Sequence, residues 1–480
     1  MTKKLILAII FSTTMFAQVT SLTDAVDLAL SRNLEIKKYE EKLVQKEFNN
    51  NKAWGNFLPS VNFDYSYNRL NDDLSIDLAP IRDGIISLQA STQTEIANIY
   101  NILQTGLPLQ NQDKLIYYNQ ALAQLNNLIP PFAATLKKKE FQKAGFTGIQ
   151  PLFTGGKLLA AKKNASAELK SAVHELDQTK NRIIQETISA YLNIILVNSI
   201  INTREEVIKG IEEHYKRAEN LYKEGFISNN NVLRAKVALA EAERNLLNDK
   251  SNYDLAVLAL KEKLCNDSDS LQIVINDSLL FNDVEFLKNE AALLMKSNQP
   301  ILKMLDEKLV SAEQKFNAVR AEFLPQIAAF GRYEIYPQYL SALEPRWSVG
   351  IQLKMNLFNG FKNYNELQEA SHLENEVKLV KSDVENKMNL LLNSKLTEFE
   401  NSKRNFLKLQ SDIELTEENL RVNKQRFESG LGISLEVIDA QLALEKTKLE
   451  RVISLYQYYK NLASIYELIG TPNKFLEIYN

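Results

Sequence analysis

Cysteine occurs once in 480 residues, at Cys265, which excludes a disulfide framework and a thiolate metal site and leaves a lone buried thiol as its reading. Histidine occurs three times, at His174, His214 and His372. None lies within metal-ligand spacing of another histidine or of the cysteine, so each reads as a surface or seam residue on a helix. The one glycine pair that hints at a nucleotide loop, "GLG" at 430–432, follows no strand and lacks a third glycine. No constellation for catalysis, a cofactor or a metal emerges. A net charge of −3, with 24% charged and 45% hydrophobic residues, excludes a nucleic-acid binder and a disordered chain alike.

Long hydrophobic runs are missing too. The nearest, "ISAYLNIILVNSII" at 188–201, is too short for a membrane helix and carries Asn193 and Asn198. The first residues, "MTKKLILAIIFSTTMFAQ", place Lys3 and Lys4 before an apolar stretch ending near Ala17, the layout of a cleaved export signal over 1–17. A mature chain that leaves the cytoplasm and has no membrane helix crosses a membrane only with strands.

Proline is absent from 152–299 and 346–471, and these stretches are rich in Leu, Ala, Glu, Lys and Asn, which is helix territory. Apolar residues there recur at three and four positions, as in Leu373, Val377, Val380, Val384, Met388 and Leu391, a narrow seam amid charge. The chain also repeats itself. "PLFTGG" (151–156) matches "NLFNGF" (356–361), and "YKEGFISNNNVLRA" (222–235) matches "FESGLGISLEVIDA" (427–440), both 205 residues apart. "NFLPS" (56–60) matches "EFLPQ" (322–326) at 266, so the first copy holds an insertion of 61 residues between Tyr67 and Pro151.

Each copy alternates after its FLP signal: Val61, Phe63, Tyr65 and Tyr67 on one face, Asn62, Asp64, Ser66 and Asn68 on the other. "RWSVGIQLKMNLF" (346–358) alternates most cleanly and is long enough to cross an outer membrane at a tilt. Strands are expected over 58–69, 141–153, 325–336 and 346–358, with Pro59, Pro151, Pro325 and Gly360 at the helix–strand transitions. Within the insertion at 70–140, segments 83–104 and 113–129 read as a helical pair between the first two strands. Helices of about 68 residues, roughly 100 Å long, run from Gly156 to Lys223 and from Phe361 to Glu428. Return helices over 228–264 and 434–469 complete helical hairpins at 155–264 and 360–469, with 22–57 and 287–322 as supplementary pieces. Four strands cannot close a barrel, and lipid tolerates no open edge, so several chains share one; three would give twelve strands.

The turns carry the remaining information. Gly225 and Gly430 end the long helices in the position of a left-handed cap, and Ser228 and Ser434 follow as expected N-caps of the return helices. With Ser434 as N-cap, Glu436 and Asp439 fall three residues apart on one face. Dipole complementation and solvation explain such acids equally well at this point.

Signal segment, tandem copies, FLP before a strand, "LF.G" after one and the glycine hairpin together resemble the TolC family of outer-membrane efflux and secretion channels, over essentially the whole mature chain. The resemblance implies a mainly α-helical homotrimer. A twelve-stranded β-barrel in outer-membrane lipid, four strands per chain, is continuous with a periplasmic α-barrel, and 265–286 and 470–480 form an equatorial belt. It implies a Gram-negative outer-membrane location, no catalysis, and docking through the hairpin tips on a periplasmic adaptor and an inner-membrane transporter. The tip positions are Gly225, Ser228, Asn231, Gly430, Gly432 and Ser434. It also implies an acidic aperture ring at Glu436 and Asp439, while Gly432 and Asn231 replace the arginine and aspartate of the family's salt-bridged lock. The competing reading is a periplasmic coiled-coil adaptor with no pore; such adaptors carry one hairpin and a compact β-rich domain, whereas this chain has two hairpins and a membrane-length strand.

Overall fold

A computed structural model describes residues 18–264, 272–275, 277–340 and 344–479; the expected signal segment 1–17 and Cys265 lie outside them. The chain forms two compact units, one from 54–158 and 320–360, the other from the remainder.

The smaller unit holds a four-stranded antiparallel sheet of β2 (Ser60–Arg69), β5 (Glu140–Phe153), β7 (Gln326–Glu334) and β8 (Trp347–Lys354), in the order β2-β5-β7-β8. Its last strand stops at Lys354, four residues short of the expected 358, because its partner β7 begins opposite it at Gln326. The register sorts side chains strictly by face. Phe63, Phe146, Tyr333 and Trp347 form one row across all four strands, and Val61, Gly148, Gly331 and Val349 form the next. That face is apolar and exposed, with Val61, Phe63, Trp347, Val349 and Ile351 between 57% and 73% accessible. The opposite face carries Asp64, Lys143, Thr147, Arg332 and Glu334 around a hollow of about 530 Å³. Arg332 pairs there with the buried carboxylate of Glu334 and donates to the Tyr339 hydroxyl at 2.9 Å. A water-facing sheet would show the reverse pattern, its apolar face covered. Pro59 and Pro325 sit immediately before β2 and β7. Pro151 instead lies inside β5, where its missing N–H coincides with a register shift against β7.

The repeat also shapes the backbone after the second strand of each copy. Gly155 (φ +63°) and Gly360 (φ +68°) stand 205 residues apart in the same left-handed conformation. An added Cβ at Gly155 would come within 2.7 Å of the Ala321 carbonyl, whereas at Gly360 it meets nothing within 4 Å. Gly360→Ala therefore costs about 1 kcal/mol of backbone strain, and Gly155→Ala costs more because it adds a steric clash. Detergent-solubilised variants compared by thermal unfolding will rank in that order.

The 61-residue insertion forms a small sheet of β3 (Leu74–Asp77) with β4 (Ala133–Lys137), and a helical pair, α3 (Ala79–Thr105) and α4 (Asn111–Leu128).

The larger unit is helical apart from a short parallel pair, β1 (Gln18–Val19) with β6 (Gln272–Ile273). Its long helices, α5 (Lys157–Lys223) and α9 (Lys362–Glu428), have 67 residues each and match at the 205 offset end to end. The return helices α6 (Asn229–Lys263) and α10 (Ser434–Leu468) have 35 each at the same offset. The supplementary pieces differ from expectation, since each is broken into two helices: α1 (Leu22–Arg32) with α2 (Leu34–Gly55), and α7 (Lys288–Asn298) with α8 (Pro300–Arg320). The breaks fall at Asn33 and Gln299, 266 apart, and both side chains use them alike. Asn33 Nδ2 donates to the last carbonyl of α6, Lys263 O, at 3.1 Å, and Gln299 Nε2 donates to the last carbonyl of α10, Leu468 O, at 3.0 Å. Each thus satisfies a helix end that would otherwise be buried without a partner.

By length and composition one helix among the described residues, α5, contains a stretch long and apolar enough to cross a membrane. Ile183, Ile184, Ile188, Tyr191, Leu192 and Ile195 of that region instead form the centre of the helical core. Around them the extended chain 277–286 is fastened by tyrosines of α10. The Tyr458 hydroxyl donates to Asn282 O at 2.7 Å and accepts from Val284 N at 3.0 Å, while Phe281 stacks on Phe406 with centroids 5.0 Å apart.

Candidate functional site at the hairpin turns

Both long helices end in the same way. Gly225 (φ +81°) and Gly430 (φ +71°) are left-handed. Phe226 N donates to Leu221 O at 2.8 Å in the first turn and Leu431 N to Arg426 O at 2.9 Å in the second, the six-residue closure of a Schellman cap. The expected N-cap of the second return helix was placed one residue too late. Ser228 is the N-cap of α6, but its counterpart at the 205 offset is Ile433, and Ser434 is already inside α10. Ser434 is fully buried rather than presented at the tip, and its Oγ lies 2.8 Å from His214 Nε2 of α5. Ile433 has no side-chain acceptor for the amides that follow it, but its own amide is held, Glu436 Oε2 accepting from Ile433 N at 3.4 Å.

This separates the two acids. Glu436 is committed locally, since it holds the helix start and stands 3.7 Å from Arg426 Nη1 of α9. Asp439 is exposed, makes no ion pair among the described residues, and lines a groove of about 490 Å³ between α6 and α10 with Asn230, Arg234 and Glu241. Of the two tip acids, Asp439 is the uncommitted one. Gly432 is packed as well: a Cβ there would lie 3.0 Å from Glu436 Oε2 and 3.1 Å from Phe427 N, so the arginine of the resemblance would require the turn to give by a few tenths of an ångström. Asn231 keeps to its own turn, with Nδ2 3.3 Å from Ser228 Oγ.

What joins the two hairpins lies further in. Ala218, Leu221, Val232 and Ala235 of the first pack on Leu420, Phe427, Val437, Ala440 and Leu444 of the second. His214 closes this cluster, its ring 4.7 Å from that of Phe427. Beyond it Arg204 of α5 reaches both return helices: Nε donates to Asp249 of α6 at 2.5 Å, and Nη1 pairs with Glu445 of α10. All three side chains are at most 20% exposed. Arg204 and His214 carry the coupling that the sequence offered no sign of, their partners being as far as 241 and 220 residues away.

Burial, and secondarily the charge of Lys424, depress His214 from its ordinary 6.5 to about 4, against a weaker opposing effect of Ser434. The folded value lies below the unfolded one, so the joint has its full stability above pH 6.5 and loses it as pH falls toward 4. At pH 5 the loss is about 2 kcal/mol. Unfolding midpoints measured at pH 7 and pH 5 will therefore differ more for the native chain than for His214→Gln.

Comparison with known proteins follows the same outline. The family profile described as "Outer membrane efflux protein" matches residues 139–265 and 294–471, which leaves out the insertion with its two helices. The toxin and drug export protein A of Aggregatibacter actinomycetemcomitans is 22% identical over 408 residues, 78% of this chain and 87% of its own. Among solved structures, the outer membrane protein VceC of Vibrio cholerae superposes with TM-score 0.72 at 14% identity, over 94% of this chain and 96% of its own. The CmeC outer membrane channel of Campylobacter jejuni does so with TM-score 0.71 at 15% identity, over 95% and 88%.

Proposed function

This chain belongs to the outer membrane efflux protein family, and from that premise we propose that three copies form one duct whose inner mouth is built by the two glycine turns of each chain. The protein is an outer-membrane exit duct with a large periplasmic portion, and its family and structural neighbours are channels. The adaptor reading falls with the family match.

The observation that carries the proposal is the sheet. Its outer strands β2 and β8 have no partners on their far sides among the described residues, and its apolar face is exposed. In lipid the edges demand partners and the face demands hydrocarbon, and neighbouring copies with a membrane supply both. Three chains give a twelve-stranded barrel, with the polar face of Asp64, Lys143 and Arg332 toward water. The long hairpins then surround a shared space, and α10 contributes Asp439 to its mouth. Arg204 and His214 hold the second hairpin on the first, in place of the lock that Gly432 and Asn231 cannot make. Export by the relative from Aggregatibacter supports toxins and drugs as the cargo class, delivered by an inner-membrane transporter through an adaptor that meets the tips at Gly225, Ser228, Asn231, Gly430 and Gly432. Of the expected belt, residues 272–275, 277–286 and 470–479 are described, and they lie against the helices of the larger unit. Fractionation tests the assembly: the protein will collect in the outer membrane and run as a trimer until heated. A soluble periplasmic monomer would overturn the proposal.

A further inference from the structure

The inserted helical pair carries more apolar surface than its own fold uses. Its interior is complete: Ile86 and Ala90 of α3 pack on Ala121 and Leu125 of α4. Arg82, itself buried, ties the start of α3 to the end of α4 through Ile129 O at 2.6 Å and Asn126 Oδ1 at 2.7 Å. The residues of α3 that face inward are Arg82, Ile86, Ala90, Thr94 and Asn98. On the opposite side of the same helix run Ile81, Ile85, Leu88, Ile96, Ile99 and Leu103, each between 48% and 76% exposed. With Thr92 they are spaced 4-3-4 twice over, an eleven-residue repeat that keeps the stripe on one side of the helix along its length. At 100° per residue this stripe centres nearly opposite the packed face. A helix apolar on two faces is covered on both.

We propose that a second and third copy of this chain cover it, three α3 helices packing stripe to stripe outside the barrel as a bundle on the assembly's axis. This rests on the trimeric reading above. Three observations select the occupant. The insertion leaves from β2, an edge strand of the sheet, where a barrel closes against the neighbouring copy. Rotational symmetry makes the three α3 helices parallel, so each position of the stripe meets its own counterparts at one level of the bundle. Only α3 offers a stripe of this length: the exposed apolar residues of α4 are Leu115, Ile116, Tyr117 and Leu128, clustered at its ends. A helix lying on a lipid surface carries lysine and arginine on its polar side. The sole basic residue of α3 is Arg82, which is engaged with the end of α4.

The test uses the full-length protein with Cys265→Ser, to which Ile96→Cys on the stripe or Gln93→Cys beside it is added. Copper-phenanthroline oxidation in outer membranes will give disulfide-linked dimers on non-reducing denaturing gels for Ile96→Cys and few for Gln93→Cys. An Ile96→Cys protein that still runs as a trimer before heating yet forms no dimer overturns the bundle while leaving the channel reading intact. Quenching of a fluorophore at that cysteine by lipid-borne nitroxides would overturn it in favour of a lipid contact. A monomer before heating would overturn the trimer and the bundle together.

Discussion

Replacing Arg204 with leucine will loosen the second hairpin from the first and raise the single-channel conductance several-fold. The cation is mostly buried between Asp249 and Glu445, so its removal leaves two mostly buried carboxylates without the partner they share. Breaking a pair of this kind costs on the order of 3–5 kcal/mol. That cost falls on the contact between α5, α6 and α10, and opening the hairpin to water is the available relief. Neutralising the whole group removes the penalty. Arg204→Leu combined with Asp249→Asn and Glu445→Gln will therefore return most of the way to the native conductance. Recordings in planar bilayers check both variants; if Arg204→Leu alone leaves conductance unchanged, the triad is not what holds the hairpins together.

The second large effect concerns the acids of the tip. Asp439→Asn will weaken block by a trivalent cation, such as hexaamminecobalt added from the tip side, roughly tenfold, since the proposed trimer would lose three carboxylates from its mouth. Glu436→Gln will do much less, because its carboxylate already faces the Ile433 amide and Arg426. It will act on the helix start instead: the amide can still accept from Ile433 N, and losing the charge toward Arg426 and the helix dipole costs about 0.5 kcal/mol. Equal effects of the two substitutions would show that the tip in the assembly does not keep the local bonds of Glu436.

Much of this architecture was legible in the sequence because the repeat imposes it. The offsets of 205 and 266 carry over to both long helices, both return helices and the paired breaks at Asn33 and Gln299. The same offset maps Ser228 onto Ile433 and so marks the cap, although the serine that follows is the better capping residue by type. Pro300 announced the second helix break, while Asn33 gave only the weaker sign of a residue suited to capping. Arg204 and His214 were not legible at all. Their roles depend on side chains brought together across two hairpins, and no local pattern distinguishes Arg204 from the solvated charges beside it in "REE". The helices of the insertion could be placed from proline punctuation, but the second apolar face of α3 acquires meaning only once the first is seen to be filled by α4.

The central claim is that three copies of this chain enclose one water-filled path, and bilayer recording on the purified, unheated protein tests it most directly. The account predicts stepwise, cation-selective conductance that disappears when the sample is first heated to monomers. A protein that inserts without conducting, or that conducts equally well after heating, would contradict it.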